Sequence, residues 1–158
     1  HTVLLLEDGT VRAFGRNSYG QTTLPELGAL KVKQAAAGNS HTVLLLEDGT
    51  VRAFGCDSSG QTTLPELGAL KVKQAAAGGF HTVLLLEDGT VRAFGCDSFG
   101  LTTPPELGAL KVKQAAAGGC HTVLLLEDGT VRAFGSNTDG QTTLPKLGAL
   151  KVKQAAAG

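Results

Sequence analysis

The chain has 158 residues, with 14 basic side chains against 14 acidic ones, so its formal charge is zero. No basic stripe points to nucleic acid, and no acidic tail points to a basic partner. Apolar content is 42% with only 4% aromatic and neither Met nor Trp, so the core must be built from Val, Leu and Ala, with one Phe per repeat. No apolar run approaches the roughly 20 residues that cross a membrane. No basic segment followed by an apolar one marks a signal peptide, and the sequence names no compartment.

The stretch from His1 to Ser40 returns at His41, at His81 and at His121, and the fourth copy stops at Gly158. A fixed period of this length signals a solenoid, propeller or array. One domain, 1–158, is therefore divided into repeats 1–40, 41–80, 81–120 and 121–158. Within the first copy, Thr2-Val3-Leu4-Leu5-Leu6 is a short apolar run closed by Glu7-Asp8-Gly9. Asp-Gly between two apolar stretches predicts a tight hairpin with both central positions at positive φ. Thr10-Val11-Arg12-Ala13-Phe14 then alternates as a half-buried strand does. Gly15 and Gly20 bracket a polar loop, and a connection with Pro25 and Gly28 follows. Lys31-Val32-Lys33-Gln34-Ala35-Ala36-Ala37 is rich in helix formers. Seven residues closed by Gly38 make a poor helix, and a crowded inner strand is the expectation.

Each repeat then makes a small antiparallel sheet of three strands, or four at most. In spatial order these are the alanine strand, the VLLL strand and the TVRAF strand. A strand that is apolar on both faces needs a sheet on each side. The fold class is all-β, a β-propeller of radially packed blades. DG hairpins and β-branched residues argue against a helical solenoid.

The pattern AAAG-x-x-HTVLLLEDGTVRAFGxNxxGQ resembles the regulator-of-chromosome-condensation repeat, in phase four times over the whole chain. The short period and the following Thr-Thr-Leu-Pro are most similar to a branch that includes a secreted bacterial β-lactamase inhibitor, a propeller of three-stranded blades. The resemblance implies a non-catalytic propeller that binds a protein partner through loops on one face. Departures are Phe14 where the family often has Trp, Asp57 and Asp97 in place of Asn17, and Leu101 in place of Gln21. The family also usually has more than four blades. Near-identity of the copies implies recent amplification or deliberate construction.

The chain begins at the second strand of one blade and ends on an inner strand, Lys151 to Gly158. Unpaired edges are adhesive. The ends can meet within one chain as a ring of four, or between two chains as a ring of eight. Small blades must splay widely to close a ring of four, so a homodimer completed by Lys151 to Gly158 is the expected assembly, with another closed oligomer or a fragment of a longer chain as the alternatives.

Within the first 38 positions of the unit, the copies differ only where the first has Arg16, Asn17, Ser18, Tyr19, Gln21, Leu24 and Glu26. The pair after each Gly38-type residue also varies. Strand direction puts the 16–19 loops and these pairs on one rim and the Asp-Gly hairpins on the other. The candidate binding residues are Arg16, Asn17, Tyr19, Asn39, Phe80, Phe99, Asp57, Asp97 and Asp139. Exposed loops also vary when nothing restrains them.

No other chemistry is expected. His1, His41, His81 and His121 could ring a metal, but each opens a strand, where a hydrogen-bonded structural role fits better. Lys31, Lys33 and their copies could attract an anion, with a solvated edge as the plainer reading. Cys56, Cys96 and Cys120 lack metal or disulfide spacing and read as free thiols. Every candidate triad recurs identically, whereas an enzyme would break the symmetry at one place. No cofactor and no catalysis are expected.

Overall fold

A computed structural model describes all residues, 1–158. The first hairpin pairs β1 (Thr2–Leu5) with β2 (Val11–Phe14), Thr2 opposite Phe14 and Leu5 opposite Val11. Its turn differs from the two-residue form expected of Asp-Gly. Gly9 alone has positive φ, +79°, and Asp8 does not. The Asp8 carboxylate accepts the Thr10 N–H at 2.9 Å and the Thr10 hydroxyl at 2.6 Å. That capture holds Asp8 out of the left-handed region, and the glycine absorbs the reversal. The same two donors, hydroxyl first, lower the Asp8 pKa, and the copies Asp48, Asp88 and Asp128 repeat the arrangement.

Three further sheets follow. They are β3 (Val32–Ala37), β4 (His41–Leu46) and β5 (Val51–Gly55); β6 (Val72–Ala77), β7 (His81–Leu86) and β8 (Val91–Gly95); β9 (Val112–Ala117), β10 (His121–Leu126) and β11 (Val131–Gly135). Each has three antiparallel strands with the HTVLLL strand in the middle. The alanine segment is extended, as expected, because pairing with HTVLLL outweighs its helix propensity. A bulge at Lys33 shifts the register, so Val32 faces Leu46 and Gln34 faces Leu45.

The expectation of one inner strand per repeat fails at the C-terminal end. Residues 151–158 join no sheet, because an alanine strand needs the HTVLLL strand of the next repeat beside it. For the same reason the first sheet has two strands.

Burial explains the apolar run. Every residue of β4 and β7 is buried. Val43 and Leu45 pack forward on Leu84, Leu86, Val72 and Ala75 of the next sheet. Leu44 and Leu46, with Val32 of the same sheet, pack backward on Val11 of the preceding one. The core is thus a series of inter-sheet layers, as in a propeller.

Candidate functional site: the variable rim

The rim is built on close-packed glycine turns. A Cβ on Gly38 would collide with the His41 ring and would stand 2.5 Å from the Gly78 carbonyl. Only glycine lets successive turns touch, and Asn39 N–H reaches the Gly78 carbonyl at 3.2 Å. The residue pair after each turn is tied to the next variable loop. Cys56 N–H donates to Ser40 O at 2.8 Å, Cys96 to Phe80 at 2.9 Å and Ser136 to Cys120 at 2.7 Å. Two variable segments are therefore held side by side at each of these three junctions.

Each loop is locked from within. Asn17 Oδ1 accepts the Thr22 N–H at 2.9 Å, and Asn17 Nδ2 donates to Thr23 Oγ1 at 3.0 Å. Asp57 accepts the Thr62 N–H at 2.8 Å and the Thr63 hydroxyl at 2.8 Å. Burial pushes the Asp57 pKa up, but the donors from Thr62 and Thr63 together bring it below the usual value. Asp97 likewise accepts the Thr102 N–H and hydroxyl. Asn and Asp exchange here because both supply the loop-closing oxygen. A buried glutamine adds a second lock: Gln21 Oε1 accepts the Tyr19 N–H at 2.9 Å, and Gln61 does the same for Ser59 at 2.8 Å.

The third repeat breaks that lock. Leu101 replaces the glutamine and is 1% exposed. Ser98–Gly100 winds into a single 3₁₀ turn, and Phe99 adopts φ +63°, the one non-glycine residue at positive φ. Its ring is 59% exposed. A hollow of about 280 Å³ results, lined by Phe80, Cys96, Phe99, Leu101, Ser59 and Cys120 among others. A second hollow of about 330 Å³ lies over the glycine turns, with Asn39, Phe80 and Cys120 in its wall.

All nine expected rim residues, Arg16, Asn17, Tyr19, Asn39, Asp57, Phe80, Asp97, Phe99 and Asp139, are exposed. Phe80 and Phe99 share one hollow. Arg16 lies over the Tyr19 ring, 5.7 Å from its centroid, within cation–π range. Asn17, Asp57 and Asp97 spend their side-chain oxygens on their own loops. Ser59, Cys96, Leu101 and Cys120 were not among the expected rim residues. The signal for them was Leu101, an apolar residue where the other copies have Gln, two positions from a new aromatic. Variation at the Leu24 and Glu26 positions belongs to the opposite rim, where Leu64, Pro65 and Glu66 face the Gly49 hairpin and Lys71.

The histidines hold sheets together. His1, His41 and His81 bond through Nε2 to Thr42, Thr82 and Thr122 of the following sheet, at 2.8, 2.9 and 2.8 Å. No group of three or more His, Cys, Asp or Glu is placed to hold a metal ion. Cys56, Cys96 and Cys120 are half-buried and unpaired.

In fold, the chain is similar to the CRINKLY WD40 ectodomain of the Arabidopsis thaliana receptor kinase ACR4, with TM-score 0.69 and 19% identity over 86% of this chain and 52% of that one. It is similar to the ectodomain of the Physcomitrella patens receptor kinase CR4, with TM-score 0.76 and 19% identity over 98% of this chain and 42% of that one. Prp20p of Saccharomyces cerevisiae, described with its binding to Gsp1p and histones, gives TM-score 0.65 and 23% identity over 78% of this chain and 35% of that one. The chain thus spans about half the length, or less, of these structures. No curated protein sequence matches it. The model of the Regulator of chromosome condensation (RCC1) repeat matches residues 1–21, 32–61, 72–101 and 112–141. Those four matches cover most of the chain, each in the same phase of the unit, and the chain belongs to the RCC1 repeat family.

Proposed function

We propose that this chain is a non-catalytic scaffold that holds a protein partner on its variable rim. The observation that carries this reading is the pair Phe80 and Phe99, 45% and 59% exposed around one hollow. Water-exposed aromatics on a locked frame are the usual anchors of a protein interface. The strained φ of Phe99 supports it further, since such strain tends to persist where a function retains it. Relatives of the same fold bind proteins: yeast Prp20 has been solved bound by Kap60 and characterised with Gsp1p and histones.

The test compares proteins retained from an extract by immobilised wild type with those retained by Phe80→Ala/Phe99→Ala, both checked for equal thermal melting. The double variant should lose the specific set. An unchanged set would remove the reading.

Self-association is a second reading, favoured by a separate observation. Leu4, Leu5 and Leu6 are 46%, 39% and 39% exposed, whereas Leu44, Leu45 and Leu46 are fully buried in the same local sequence. A homodimer in which residues 151–158 complete a partner's first sheet would cover them, giving an eight-bladed ring. Neither reading calls for a cofactor.

A further inference from the structure

We infer that the partner segment held on this rim carries an arginine, whose guanidinium lies over the Phe99 ring and pairs with the Asp97 carboxylate. This rests on the rim reading above and names the chemistry of the partner.

The first repeat supplies the template. There Arg16 and Tyr19 share one loop, and the guanidinium stands 5.7 Å from the ring centroid, within the roughly 6 Å reach of a cation–π contact. The third repeat keeps the aromatic and loses the cation. Phe99 occupies the position of Tyr19, and Cys96 occupies the position of Arg16. Arg16 and Tyr19 make the one such pair of the chain, so the Phe99 ring, though exposed, has no cation of its own.

The charge around the hollow has a single sign. The rim loops 56–60, 96–100 and 136–140 and the turns 78–80 and 118–120 between them contain Asp57, Asp97 and Asp139, and no Lys, Arg or His. The basic pairs of the same repeats are gathered at the other rim. Lys71 and Arg52 act there on Asp48, Lys111 and Arg92 on Asp88, and Lys151 and Arg132 on Asp128. Lys73 and Lys113 stand beside Val72 and Val112, which pair with Leu86 and Leu126 at that same far end. The zero formal charge of the chain thus conceals an acidic rim, and such a field draws cations to it.

Asp97 is set to receive a donor. Its Oδ1 takes both the N–H and the hydroxyl of Thr102, while no hydrogen bond of the chain reaches Oδ2. It stands between Cys96 and Ser98, which line the hollow with Phe80, Phe99 and Leu101. Asp57 and Asp139 stand in the loops on either side. Arginine suits this arrangement better than lysine. Its flat, weakly hydrated guanidinium can stack on a ring and fork to a carboxylate at once. Phe80 and Leu101 offer apolar surface to its methylene stem.

The test uses isotope-labelled, unmutated chain and two probes, the peptide acetyl-Ser-Leu-Arg-Leu-Ser-amide and its citrulline counterpart, which keeps the shape and loses the charge. The backbone amide signals of Phe80, Asp97 and Phe99 are followed as each peptide is added. The arginine peptide should move them saturably, and the citrulline peptide should bind about tenfold more weakly. Asp97→Asn should weaken the arginine peptide about threefold. The variant should melt with wild type, because Asn17 and Asn137 close the same loop in their own repeats. Equal binding of the two peptides, or no movement at the three amides, overturns the inference. The rim reading falls separately, if Phe80→Ala/Phe99→Ala retains the same proteins from an extract as wild type. A double variant that loses them while citrulline binds as well as arginine keeps the rim and removes the arginine.

Discussion

His41 Nε2 donates to Thr82 Oγ1 at 2.9 Å, and Thr82 passes its own hydroxyl proton to the Gln61 carbonyl at 2.8 Å. With that proton committed, the threonine oxygen can only accept, so His41 is the neutral Nε2–H tautomer. His1 and Thr42 repeat the relay, Thr42 donating to Gln21 O at 2.8 Å. The Nδ1 atoms of His1, His41 and His81 are buried without a partner. Burial first, and a neighbouring histidine second, lowers the pKa of His41 and of His81 to about 4.

Acid should therefore loosen the sheet stack through these histidines. In the unfolded chain they titrate near 6.5, whereas folded they resist protonation down to about 4. Stability is full above pH 6.5, falls between 6.5 and 4, and loses little more to histidine below that. Each histidine contributes about 3 kcal/mol of that loss. Urea melts across the range should show the slope, and His41→Gln/His81→Gln should flatten it. A wild-type profile flat from pH 7 to 4 would rule the mechanism out.

The glycine after each alanine strand is there for space. A Cβ on Gly78 would strike the His81 ring and stand 2.6 Å from the Gly118 carbonyl. Gly78→Ala should cost several kcal/mol, like other overpacked sites. Gly60→Ala is a control of a different kind, because a Cβ there meets nothing and only its φ of +80° is strained. That strain costs about 1–2 kcal/mol. Thermal melting of the two variants should rank them in that order.

The glutamine grip links one inner strand to the next. Gln74→Ala removes two hydrogen bonds at once and leaves both the N–H and the carbonyl of Ala115 without that partner. The expected loss is about 1–3 kcal/mol. Hydrogen exchange should locate it, with faster exchange at Ala115 and little change in the Val51–Leu45 pair one sheet back.

Phe99 offers a way to separate stability from recognition. Phe99→Gly suits φ +63° and should stabilise the chain by up to about 1 kcal/mol, offset in part by a more flexible unfolded state. The same change removes an anchor of the proposed interface. A variant that melts no lower than wild type yet loses its partners would support the rim reading. One that keeps them would contradict it.

Much of the fold was legible because the repeat supplies its own punctuation. Asp8-Gly9 and Gly38 mark the strand ends, and the doubly apolar Val3-Leu6 run demands sheets on both sides. Turn geometry was not legible, since it depends on the Asp8 carboxylate capturing Thr10 in three dimensions. The grip of Gln34 on Ala75 was hidden as well, because a glutamine beside lysines reads as solvated. The alanine strand is a strand only where its neighbour is present, so residues 151–158 and 31–38 share a sequence and differ in structure. At the rim, the variable positions marked the loops. Asn17 and Asp57 turned out to close those loops, and only the combination of Leu101 with Phe99 pointed to the hollow.

The most direct test of closure is hydrogen exchange in β1 measured against β4 in the same unmutated sample. The two strands share their sequence, and only β4 has an inner strand within the chain. Closure by a second copy predicts comparable protection of the inner-edge amides of β1 and β4, with that of β1 alone lost on dilution below the dissociation constant. Unprotected β1 amides beside a protected β4, at every concentration, would contradict it.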